Sequence, residues 1–155
     1  MYTSAIKSFI QKQTLKTTFI YLVSAIFTAL FGGIYELFSH GVYANSMIYA
    51  FAFPLVLGVL PFFLLSTALC GGLREEEVVV GSDAAFRLYP RPLARYLYHC
   101  GVLTLTVGSL LSGVLEIYGT SNILLFTYWI AGPLLLLAAI TLYVTGLVRR
   151  KGRAF

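Results

Sequence analysis

Four stretches of this chain, residues 17–35, 47–69, 97–115 and 123–148, contain no Lys, Arg or Asp and are almost wholly apolar. A helix needs roughly 20 such residues, at 1.5 Å each, to cross about 30 Å of hydrocarbon, so each stretch has the length of one crossing. Barrel strands are excluded, since the runs are far too long for them and do not alternate. Composition agrees: 59% of residues are hydrophobic and only 11% are charged, against about a quarter charged in soluble domains. With a mean hydropathy of +0.85, the chain carries more apolar surface than one small aqueous core can bury. The expected fold is therefore an all-α polytopic membrane protein forming a single membrane domain, its 155 residues leaving no room for an appended soluble enzyme.

The basic residues fall on one side of these crossings. Lys7, Lys12 and Lys16 precede the first, Arg74, Arg87, Arg91 and Arg95 lie between the second and third, and Arg149, Arg150, Lys151 and Arg153 follow the fourth. The connections 37–46 and 117–122 have neither Lys nor Arg. Short basic loops stay in the cytoplasm, so both termini are expected inside, with a cytoplasmic loop over about 70–96. The pI near 9.3 follows from this topology and from attraction to anionic inner-leaflet lipid, and calls for no nucleic acid. The first apolar run is too long for a secretory signal core and is read as retained. Ile6, Phe9, Ile10 and Gln13 share a helical face before it, which suits a short helix lying on the inner surface; a basic tail that only sets topology is the alternative.

A repeat is superimposed on this layout. Ser24, Thr28, Gly32 and Glu36 are matched by Thr104, Gly108, Ser112 and Glu116 at a constant offset of 80 residues. The chain thus reads as a duplicated helical hairpin, repeat one over about 15–69 and repeat two over about 97–148. Each copy holds an even number of crossings, so the copies share orientation and a pseudo-twofold axis along the membrane normal is expected. Small residues permit the close helix approach that drives association in lipid, so Ser24, Thr28, Gly32, Thr104, Gly108 and Ser112 are read as packing positions and crossings one and three as packing face to face. Pro54 and Pro133 kink the second helix of each hairpin, and Pro61 kinks the first of these again.

Each ladder ends on a carboxylate. Glu36 lies 20 residues after Lys16, and Glu116 lies 21 after Arg95, roughly 30 Å from the inner boundary at 1.5 Å per residue. Both acids therefore sit at the outer rim, at the negative end of a helix dipole, with no outer Lys or Arg. Three compensations are open. Each acid could cap the helix that follows, near Asn45 and Asn122. The pair could share a proton or hold a cation together with Tyr35, His40, Tyr43, Tyr118 and Asn122. An outer partner or ligand could supply the positive charge.

Other chemistry finds little support. His40 lies in an outer loop and His99 at the inner edge of the third crossing, about 30 Å apart, so one haem iron cannot take both and no cofactor is expected. His99 is read as an interfacial side chain with its polar edge toward water. Cys70 and Cys100 fall on the reducing side, as small apolar fillers or, in a eukaryotic host, palmitoylation sites. The connection 70–96 pairs four arginines with Glu75, Glu76, Glu77 and Asp83; it is a solvated loop or a docking site for a cytoplasmic or membrane protein partner. Metalloprotease, nucleophile-elbow and phosphate-loop motifs are absent, as are aspartate clusters. No metal ligand set or catalytic residue is indicated.

At Phe-Ser-His-Gly-Val-Tyr (38–43), Thr-Leu-Thr-Val-Gly-Ser (104–109) and Glu-Ile-Tyr-Gly-Thr (116–120), the chain resembles small four-span membrane proteins of Gram-positive bacteria. The resemblance implies a bacterial plasma membrane and a four-helix fold, and carries over no activity and no site residues. Small four-span drug exporters also use a glutamate in the first span, but within the membrane, one per chain and paired by dimerisation. The expected function is a non-catalytic subunit or binding module of a membrane complex. A proton- or cation-coupled transport component using Glu36 and Glu116 is the alternative, and a lipid or redox enzyme of the membrane comes third.

Overall fold

The computed structural model describes residues 2–39, 41–71 and 91–151, and these are helical apart from short connections. Four helical segments are long and apolar enough to cross a membrane: Gln11–Leu37, Asn45–Thr67, Pro92–Ile117 and Ile123–Gly146, called spans one to four below. The connection between spans two and three lies outside the described residues from 72 to 90, as does His40.

Span one belongs to a single helix, α1 (Tyr2–Leu37), of 36 residues. The surface helix expected near the amino terminus is thus continuous with the crossing. At 1.5 Å per residue α1 is roughly 54 Å long, well beyond the hydrocarbon thickness, so its first turns project past the bilayer. Lys12 and Lys16 on those turns are exposed. Span three is α4 (Pro92–Ile117) and starts five residues before the apolar run does. Arg91 is extended (φ −58°, ψ 147°) and Pro92 takes the first helical position, where its fixed φ suits the helix and its missing N–H is no loss. Span four is a 3₁₀ turn, Ile123–Leu125, followed by α5 (Phe126–Lys151), which runs unbroken through Pro133.

Span two is the irregular one. It opens with α2 (Asn45–Ile48), tightens into a 3₁₀ turn at Tyr49–Phe51, widens into a π-helical stretch at Phe53–Val59 and ends as α3 (Leu60–Gly71). The wide stretch runs from just before Pro54 to just before Pro61, and each ring clashes with the carbonyl four residues earlier, which a wider turn relieves. Leu57 is four residues before Pro61, and its carbonyl accepts the Tyr98 hydroxyl at 2.6 Å. A side chain of span three thus serves the backbone group that a proline in span two cannot, as membrane helices require.

The packing departs from the expected contact between crossings one and three. α1 packs along span two, α5 packs along α4, and the start of span two reaches over to α4. α1 and α4 hardly approach at backbone level. The small residues follow this pairing: Gly32 faces Met47, and Gly108 faces Tyr128. Ser112 accepts the Trp129 indole N–H at 3.4 Å. Thr28 is buried and bonds back to the Ser24 carbonyl at 2.7 Å, while Thr104 does the same to Cys100 at 2.7 Å. Both ladders therefore work inside their own hairpins. The closest backbone approach in the second hairpin is at Gly101 and Gly132, where a Cβ on Gly101 would sit 3.1 Å from the Gly132 carbonyl oxygen.

Spans one, two and three meet in a buried cluster of Tyr21, Phe62 and Val102, with Leu57, Tyr98 and Leu136 packed against it. Gly58 makes room for it, since a Cβ there would overlap the Tyr21 ring. His99, half-buried, joins the cluster through one side of its ring. Its ring stacks on Phe62 at 5.5 Å and 20°, and its Nδ1 lies 2.6 Å from the Tyr21 hydroxyl. With the imidazole proton on Nε2, the hydroxyl donates.

Candidate functional site

The two glutamates lie at the same end of the molecule, opposite Lys12, Lys16, Arg91 and Arg95, and both flank the start of span two. Met47 is the wedge between them. A Cβ on Gly32, one turn before Glu36, would sit 3.1 Å from the Met47 carbonyl oxygen, and a Cβ on Gly113, three residues before Glu116, would overlap the Met47 side chain. Met47 itself is 1% exposed. Only glycine on each flanking helix lets the backbone of α2 sit this close.

The two acids are then treated differently. Glu116 Oε2 accepts the Ser46 hydroxyl at 3.0 Å, and the Ser109 hydroxyl donates to the Ser46 carbonyl. Glu116 is tied to the first turn of span two, the helix of the other hairpin. It does not cap the helix that follows it. That helix is capped by Asn122, whose Oδ1 accepts the Leu124 N–H at 2.9 Å, so Asn122 is engaged locally. Ala44, the residue before α2, offers no side-chain cap, and Ser46 gives this end a polar link to α4 instead. Among the described residues, Glu36 Oε1 is the buried side-chain polar atom with no hydrogen-bond partner. Burying a carboxylate oxygen unpaired costs several kcal/mol, so this atom stands out.

The chain leaves both helices in the same way. The Ser39 N–H donates to the Glu36 carbonyl at 3.1 Å, and the Gly119 N–H donates to the Glu116 carbonyl at 3.1 Å. Gly119 (φ +68°) and Gly41 (φ +92°) supply the left-handed residues that turn the chain back. Beside the acids, the Tyr35 and Tyr118 side chains come close to each other. With Phe38, Ser39 and Ile117 they line a cavity of about 330 Å³. The Ser39 hydroxyl at its edge lies 2.7 Å from the Glu36 carbonyl and 2.6 Å from that of Val42.

The structure thus gathers Tyr35 and Tyr118 into one cavity and brings the helices that carry Glu36 and Glu116 to either side of Met47. Tyr43 is 70% exposed and is not among the residues lining that cavity. His40 lies outside the described residues. Among the described residues no three His, Cys, Asp or Glu side chains are grouped to hold a metal. Ser46, Ser109 and Met47 are the residues that sequence reasoning missed. The ladders could not reveal them, because Ser46 and Met47 lie outside the ladders and the Ser109 bond to Ser46 is between residues 63 apart in sequence. Compared with models of known protein families, with curated proteins and with solved structures, the chain matches none.

Proposed function

We propose that this chain is a multi-pass protein of a bacterial plasma membrane, with both termini cytoplasmic, and that it acts as a non-catalytic binding module or subunit of a membrane complex. The observation that carries this reading is the buried, unpartnered Oε1 of Glu36, the residue next to Tyr35, which with Tyr118 lines a cavity at the same end. A polar atom left unsatisfied at an accessible end is paired when a donor arrives from outside the chain. The orientation is supported by exposed Lys12, Lys16 and Arg91 at one end and the uncharged loops with their two acids at the other. Matching exits at Ser39 and Gly119 support a duplicated hairpin with a pseudo-twofold axis along the membrane normal. Wholly apolar exposed faces, with Phe27, Leu30, Leu134 and Leu137 all at least 59% exposed, suit lipid or a neighbouring helix.

Purification from native membranes in mild detergent tests this. A stoichiometric partner is expected, and its recovery falls when Glu36 becomes Gln. A wild-type protein that elutes alone, indistinguishable from Glu36→Gln, would rule the reading out. A second reading, proton- or cation-coupled transport through the acid pair, is supported by the placement of both glutamates around one helix start. In proteoliposomes the double variant Glu36→Gln/Glu116→Gln then abolishes an electrogenic signal; a signal that survives unchanged dismisses it.

A further inference from the structure

The opposite, basic end holds a second feature that the glutamate site does not use. Spans two and four hardly approach at backbone level, since α5 lies along α4 and α3 lies along α1; their side chains meet through Phe53 and Trp129 near the other end. Between α3 and α5, with α4 as its floor, is a cavity of about 230 Å³ whose lining includes Phe62 and Leu65, Ala94 and Arg95, and Ile140 and Tyr143. Every one of these residues belongs to the basic half of its span. The floor is flat because Ala94 is small and 3% exposed. Arg95 lies one turn inside the start of α4 and adds a guanidinium to an otherwise largely hydrocarbon wall. Arg91, one turn earlier, lies across α5, its Nε 3.7 Å from where a Cβ on Gly146 would be. Lys12 and Lys16 share this end, and the acids among the described residues, Glu36 and Glu116, are at the other.

We infer that this cleft is a binding site for one anionic glycerophospholipid of the leaflet at the basic end, with an acyl chain between spans two and four and its phosphate against Arg95. Three features select that occupant. A hydrocarbon-lined gap between membrane helices is filled by the hydrocarbon around it, since water has no partners there. A planar guanidinium at the headgroup end matches phosphate oxygens in a fork that a lone ammonium lacks. The excess of Lys and Arg at this end favours an anionic over a zwitterionic headgroup. A free phosphate would use Arg95 and leave the apolar wall empty.

The test uses the full chain reconstituted in an equimolar mixture of phosphatidylglycerol and phosphatidylcholine, extracted in mild detergent and weighed intact by native mass spectrometry. One retained phosphatidylglycerol per chain is expected, in preference to phosphatidylcholine. Arg95→Gln reduces that preference about fivefold, the effect of roughly one basic contact, whereas Lys16→Gln, on an exposed face, changes it less than twofold. Ile140→Trp fills the cleft and lowers retention of both lipids. Because Ile140 is 49% exposed, this variant keeps its fold and remains informative if Arg95→Gln does not extract well. Equal retention of the two lipids by the wild type overturns the inference. So does an equal effect of Lys16→Gln and Arg95→Gln, which would mean diffuse surface charge, or undiminished retention in Ile140→Trp. Displacement of the lipid by excess inorganic phosphate also overturns it, since the acyl chain would then contribute nothing.

Discussion

The Tyr98 hydroxyl donates to the Leu57 carbonyl across 2.6 Å, taking the place of the N–H that Pro61 lacks. The bond joins span three to the widest part of span two, and it fills a requirement that is stricter in hydrocarbon than in water. Tyr98→Phe leaves the ring's contact with Phe62, whose centroid is 6.0 Å away, and removes only the donor. A loss of about 1–2 kcal/mol in stability in detergent is expected. The check is a double-mutant cycle with Pro61→Ala, which lets the backbone restore its own bond. The cost of Tyr98→Phe should shrink in that background, and an unchanged cost would mean that the Leu57 carbonyl does not depend on Tyr98.

Tyr21 and His99 form the second polar link between spans, and they join α1 to α4, two helices that barely touch otherwise. Interhelical hydrogen bonds of this kind average about 0.6 kcal/mol and reach about 1.7 in membrane proteins. Tyr21→Phe and His99→Phe are each expected to destabilise, with a coupling energy of that size between them when measured by unfolding in mixed micelles. A coupling indistinguishable from zero would reduce the pair to ring packing on Phe62.

Gly33 and Gly113, 80 residues apart, stand in contrasting surroundings. A Cβ on Gly33 meets open space, whereas one on Gly113 overlaps Met47. Gly113→Ala should therefore cost about 1–3 kcal/mol through overpacking, while Gly33→Ala should be neutral or stabilise by up to about 1 kcal/mol through helix propensity. Thermal melts of the two single variants in one detergent decide it. Equal effects would mean that the two hairpins surround Met47 alike.

That contrast also marks what the sequence could and could not tell. The four crossings were legible because hydrocarbon thickness fixes the length of an uncharged run, and Pro54 and Pro61 announced the irregular helix between them. The ladders announced close packing but not the partner: Gly32 and Gly108 are equally small whichever helix approaches, and the neighbour is chosen by Met47 and Tyr128, which obey no repeat. For the same reason the three compensations open to Glu116 did not include a bond to the start of span two. Its partner Ser46 belongs to the other hairpin, a long-range pairing with no local signature. His99 was read as interfacial from its place at the edge of the third crossing, and its bond to Tyr21, 78 residues away, had no local signature.

The two glutamates should separate most clearly in their cost to stability. Glu116 has a partner in Ser46 at 3.0 Å, so Glu116→Leu removes a hydrogen bond and should destabilise by about 0.5–1.5 kcal/mol. Glu36 carries a buried oxygen without a partner, so Glu36→Leu removes a desolvated group and returns nothing to water that was paired before. The expected result is a gain of about 1 kcal/mol, the reverse sign to Glu116→Leu at a matching position. A residue whose removal stabilises the protein is one that folding did not select, and such residues concentrate where a protein binds. If melts in detergent instead show Glu36→Leu losing as much stability as Glu116→Leu, Glu36 is a structural acid and the end that carries it loses its claim as a binding site.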